Sequence, residues 1–137
     1  MKISTRGKYA LRFMMYAARH SNGNYITLKE IAENENISIK YLEQIVSILN
    51  KADLLISTRG SSGGYKLSRP AEKYTSLEIL RVTEGDLLLS SQDEDGSKSM
   101  QWFWSGLQSA IEKYLSNITL QDLVEQDENN ENFMYVI

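Results

Sequence analysis

In IKYLEQIV, residues 39–46, a lysine, a tyrosine, a glutamate and a glutamine fall within five positions. These side chains suit the edges of nucleic-acid bases. Glu43 can accept from the amino group of cytosine, and Gln44 can pair with the edge of adenine. Lys40 is suited to a phosphate, a contact that positions a protein without reading sequence. Ser38 and Tyr41 share the neighbourhood. A second group lies in TRGSSGGYKLSR, residues 58–69. Arg59 can enter a minor groove, whose width depends on sequence. Ser61 and Ser62 offer short donors. Gly63 and Gly64 let the backbone approach a surface as close as a sugar-phosphate edge. Lys2 adds a further cation for phosphate.

Catalytic chemistry finds little to use. The one histidine, His20, falls at the C-terminal end of a helical pattern, where it favours the helix dipole and lacks a partner for nucleophilic work. There is no cysteine, so disulfides, thiolate zinc sites and thiolate-held iron–sulfur clusters are excluded. No phosphate-binding GxxxxGK[ST] loop is present. The acidic run Asp93-Glu94-Asp95-Gly96 lacks the glutamate that closes a calcium loop, and reads as solvated. No apolar run approaches a membrane span, and the N-terminus lacks the pattern of a signal peptide, so a cytoplasmic protein is expected.

The elements that position these groups follow from periodicity. Ala10, Phe13, Met14, Ala17 and Ala18 keep helical spacing and predict a helix over 5–20. Thr27 and Glu30 form a capping box that opens a short helix with Leu28, Ile31 and Ala32. Ser38 caps a longer helix to about Ala52, with Leu42, Ile45, Val46 and Leu49 as its buried stripe. Residues 54–59 and 65–69 read as a β-hairpin with a loose tip, in which Tyr65 and Leu67 pack inward. Thr75 and Glu78 form another capping box before LEILRVTEG. After an acidic loop at 86–98, Met100, Trp104, Leu107, Ile111, Tyr114 and Ile118 alternate steps of four and three, the seam of a helix packed lengthwise on another. Trp102 and Phe103 are expected beside that seam. Thr119 and Asp122 cap a last short helix. The tail, 129–137, is polar at first and closes on Phe133, Met134, Tyr135, Val136 and Ile137.

Helix, short helix, turn, longer helix and hairpin make a winged helix-turn-helix: a mainly α fold with a small β-wing, plus a long dimerisation helix. Residues 1–75 hold the winged region and 76–128 the dimerisation helices. Charge agrees with a nucleic-acid partner for the first half alone. Residues 1–70 carry 11 Lys and Arg against 5 Asp and Glu, a net of +6, whereas 71–137 carry 4 against 13, a net of −9. A winged helix that docks a protein instead of DNA would fit the same pattern.

KISTRGKYALR, IKYLEQIVSILNKADLL and RGSSGGYKLSRP together resemble the Rrf2-type winged-helix regulators, closely over about 1–85 and loosely beyond. The resemblance implies a homodimeric transcription factor on an imperfect palindrome of double-stranded DNA, paired through the long helix at about 99–116. It places the family's base-reading glutamate on Glu43 and its wing arginine on Arg59. The family's cluster-binding members carry three cysteines where this chain has none, so no iron–sulfur cofactor is expected. Its cysteine-free repressors of cysteine metabolism work with cysteine synthase. On that likeness Ile137 and its carboxylate, with Val136 and Tyr135, would enter the enzyme's substrate-carboxylate pocket. A tail folded against its own dimer is the alternative.

Overall fold

The computed structural model describes residues 2–20, 23–58, 63–85 and 97–136, with 129–136 described as backbone alone. Among these residues, six helices and a two-stranded antiparallel sheet follow in order: α1 (Thr5–His20), α2 (Leu28–Glu35), α3 (Ile39–Lys51), β1 (Leu55–Thr58), β2 (Gly64–Leu67), α4 (Ser76–Glu84), α5 (Lys98–Ser116) and α6 (Leu120–Val136). A 3-10 turn, Ala71–Lys73, leads into α4.

Helix α1 is the spine. Its Ala10, Phe13, Met14 and Ala17 are wholly buried, among side chains of α2, α3, α4, α6 and the β-strands. Caps fix where the helices begin. Thr27 and Glu30 close a complete capping box on α2, at 3.2 and 2.8 Å. Asn36 ends α2 in the left-handed region at φ 54°, which turns the chain sharply into α3. The Ser38 hydroxyl accepts from the Tyr41 amide to start α3. Ile37 before that cap and Leu42 on the first turn are both buried, and hold the entry of the helix. The stripe Leu42, Ile45, Val46 and Leu49 is buried as expected.

The wing pairs Leu55 with Leu67 through Thr58 with Gly64. It gains a third, one-residue rung, because Ile26 and Tyr65 exchange both backbone hydrogen bonds at 2.8 and 2.7 Å. Tyr65 and Leu67 pack against the core, with the Tyr65 ring edge-on to Phe13.

Three expectations are corrected. The Thr75 hydroxyl does cap α4, but Glu78 does not reach back to complete a box. Its carboxylate is taken by Arg69, a partner 9 residues earlier. The last helix is not short, since α6 continues through most of the expected tail to Val136. Thr119 and Asp122 cap it reciprocally, at 3.0 and 2.9 Å. Finally, Trp102 does not widen the α5 seam. Two residues beyond Met100 is a turn of about 200°, and Trp102 is 80% exposed on the far side.

Tyr74 joins these parts. Its ring is fully buried and its hydroxyl donates to the Leu54 carbonyl at 2.7 Å. The same oxygen accepts from the Ser68 amide at 2.9 Å. The Arg69 guanidinium lies 4.4 Å from the ring centre and bonds the Lys73 carbonyl. Tyr74→Phe would leave the Leu54 carbonyl and Ser68 amide unsatisfied. The expected loss is about 1–3 kcal/mol in urea unfolding at fixed protein concentration; an unchanged midpoint would contradict this account of the hydroxyl.

Candidate nucleic-acid interface

Helix α3 turns a polar strip away from the body. At about 100° per residue, Ile39, Glu43, Ser47 and Asn50 share one line, with Lys40 and Gln44 beside it. All six are exposed. The first two turns of the helix therefore present side chains of the types that read base edges, together with one cation. Ser38 is exposed as well, its hydroxyl committed to the cap.

Tyr41 has a different place from the others. It is half-buried, with its ring 5.5 Å from Tyr9 and edge-on to it. Arg12 lies over the opposite partner of this pair, 5.2 Å from the Tyr9 ring centre. It also bonds the carbonyl and carboxylate of Glu35, at 3.1 and 2.9 Å. Arg12, Tyr9 and Tyr41 thus set the angle between α1 and the helix-turn-helix. Sequence reasoning missed Tyr9 and Arg12, because neither follows the apolar stripe that identifies α1.

Of the wing residues, Arg59, Ser61 and Ser62 lie outside the described residues. Gly63 is half-buried. Gly64 is buried, and a Cβ there would stand 2.5 Å from the Ile26 carbonyl oxygen. Within the chain, the close approach that Gly64 allows is to Ile26 in the third rung. On the outer face of the wing, the Lys66 ammonium sits 4.7 Å from the ring centre of Tyr25, which is itself exposed.

Lys2 is exposed just ahead of α1. Its position depends on Ser4, whose hydroxyl caps the Gly7 amide and donates to Glu84 at 2.7 Å. The Ser4 amide bonds the same carboxylate. Partial burial alone would raise the proton affinity of Glu84. The hydrogen bonds from Ser4 and Thr83, with the charge of Arg6, outweigh it and hold the carboxyl below its usual range.

The long helix α5 has no buried residue in the single chain. Leu115 packs on Leu77 and Leu80 of α4. Arg81 pairs with Glu112 at 3.2 Å, and the Ser76 hydroxyl donates to the Leu115 carbonyl at 2.7 Å. The seam lies next to this contact. Met100, Trp104 and Ile111 are half-buried, while Phe103, Leu107 and Tyr114 are exposed. The Trp104 indole N–H is shielded from solvent with no partner among the described residues. No helix among the described residues is long and apolar enough to cross a membrane.

The helix-turn-helix with its wing has known counterparts. The family model for Rrf2, described as an iron-dependent transcriptional regulator, matches residues 3–126. The chain belongs to the Rrf2 family. It is 37% identical to the HTH-type transcriptional regulator CymR of Bacillus subtilis, over the whole of both chains. It is 33% identical to IscR of Vibrio campbellii, covering 93% of this chain and 80% of that one. Among solved structures, B. subtilis CymR superposes with a TM-score of 0.83 at 36% identity, over 92% of this chain and 98% of that one. T. potens IscR gives 0.80 at 34%, over 98% and 96%. These relatives are transcriptional regulators, not enzymes, and this Rrf2 chain is a DNA-binding regulator of the same type.

The family description names iron, but the donors here do not fit a thiolate-held cluster. The chain has no cysteine, and its one histidine is exposed at the end of α1, 4.2 Å from the Tyr16 ring.

The Glu84 contact predicts a pH response. A carboxyl whose folded pKa is depressed stabilises the fold above its unfolded pKa, and that contribution is lost as pH falls through the folded value. Glu84→Gln should therefore be less stable than the parent at pH 7. The gap should close on acidification below about pH 4.5, the ordinary carboxylate value. A gap that stays constant through acid unfolding, followed by circular dichroism, would rule out this role.

Proposed function

We propose that this protein is a homodimeric, cytoplasmic repressor that binds an imperfect palindrome in double-stranded DNA. The observation that carries the reading is α3, with one stripe sealed in the core and Lys40, Glu43 and Gln44 standing free on its first turns. Glu43 would select cytosine and Gln44 adenine, while Lys40, Lys2 and the wing's Arg59 supply phosphate attraction. The exposed side of the α5 seam, Phe103, Leu107 and Tyr114, supports a two-fold partner. Trp104 and Met100, already half-covered, would be sealed by it, together with Ile111. A symmetric dimer presents two α3 helices to half-sites about one helical turn of DNA apart, or a multiple of it.

The signal on this reading is a protein and not a bound cluster, since the chain has no cysteine to hold one. The related CymR structure is described as that of the global cysteine regulator of B. subtilis, which supports a link to cysteine supply. The partner proposed is cysteine synthase, with Ile137 as anchor and Val136 and Tyr135 as flanking contacts. Because α6 is helical to Val136, its last turn would give up helical form when the carboxylate docks.

Two experiments test this. In the first, binding to a duplex selected by the purified protein is measured by anisotropy. Glu43→Ala should lose about 1–3 kcal/mol of discrimination at one base pair per half-site while keeping most of its affinity for random DNA. Leu107→Asp should sediment as a monomer and lose the preference for paired half-sites. A dimeric Leu107→Asp, or Glu43→Ala with unchanged base choice, would overturn the corresponding assignment. In the second, calorimetry with the host's cysteine synthase should give binding for the full chain and none for a chain lacking Ile137. Equal heats from the two forms would remove the tail from the interface.

A further inference from the structure

Ile39 opens α3 and is 45% exposed, although it is a large branched aliphatic side chain. Among the described residues it is the one exposed large apolar side chain of the helix-turn-helix. Packing does not explain it. The apolar contact that fixes the entry of α3 is made by Ile37 and Leu42, which are 8% and 0% exposed. Helix propensity does not explain it either, because a β-branched residue is inferior to alanine in a helix. Ile39 stands four residues before Glu43, so the two side chains are neighbours on the outward strip, about 5–6 Å apart at their Cβ atoms.

We infer that Ile39 is a specificity residue that packs on the 5-methyl group of a thymine next to the base pair read by Glu43. This rests on the DNA-reading face proposed above and adds a second base to it. The thymine methyl is the one apolar group that the major groove offers. A carboxylate that accepts from cytosine and an aliphatic group that covers a methyl are complementary readers on one helix turn. Successive bases on a strand are about 3.4 Å apart along the axis. The spacing of the two side chains therefore puts the thymine within one or two steps of the cytosine.

Deoxyuridine differs from thymidine in lacking only this methyl, which makes the test specific. A duplex is recovered from a random pool with the wild-type protein, and each thymine is replaced in turn by deoxyuridine. One position in each half-site should weaken wild-type binding about three- to tenfold. Ile39→Ala should bind the thymine duplex weaker by a similar factor and show no further loss at that position. Ile39→Val should keep part of the effect, and circular dichroism should show all variants equally helical. A flat scan with the wild-type protein, or one unchanged in Ile39→Ala, overturns the inference and leaves the DNA-binding reading in place. A wild-type protein that retains no duplex from the pool overturns both.

Discussion

The buried phenol of Tyr74 is the interaction on which the arrangement of this molecule turns. Through one oxygen it satisfies the Leu54 carbonyl at the end of the α3 segment and the Ser68 amide at the root of the wing. Through its backbone carbonyl it accepts from Leu120, the first residue of α6. The next residue, Thr75, bridges to Thr119, and Ser76 bonds the Ile118 carbonyl. One short segment therefore fixes α3, the wing and the C-terminal helices relative to one another. Hydrogen bonds buried in this way are costly to leave unmade, and the geometry they hold is correspondingly well defined.

That junction gives the two charge regimes of the chain a shared frame. The basic half presents α3 and the wing, and the acidic half presents α5 and α6, yet the core is continuous across them. Ile79 and Leu120 from the acidic half join the same buried cluster as Phe13 and Leu42. Arg19 of α1 pairs with Asp127 of α6, and Ser4 at the start of α1 is held by Glu84 at the end of α4. Helices α1, α4 and α6 are therefore joined by packed side chains, hydrogen bonds and an ion pair.

The polar residues at the interface divide by what supports them. Glu43, Gln44 and Lys40 project freely because the opposite stripe of α3 is completely sealed. Tyr41, on the same helix, is half-buried and turns its ring onto Tyr9. Gly64 belongs with Tyr41, because its missing side chain serves the fit of Ile26 inside the wing. All five stood as candidates for DNA contact in the sequence, and burial separates them.

Much of the fold could be read directly from local signals. The helical stripe of α1, the capping residues Thr27, Ser38 and Thr119, and the inward Tyr65 and Leu67 of the hairpin are short-range patterns, and all of them appear in the structure. The order of those elements was enough to indicate a winged helix-turn-helix and to mark Glu43 and Gln44. What sequence left open depends on contacts between distant positions. Glu78 was free by spacing to complete a cap, but Arg69 competes for it once the wing root folds over Tyr74. Trp102 looked continuous with the α5 seam in a string of apolar residues, and helix geometry turns it to the other side. The exposure of Ile39 was likewise not read from the sequence, and the structure shows it beside a buried Ile37 and Leu42 at the entry of α3.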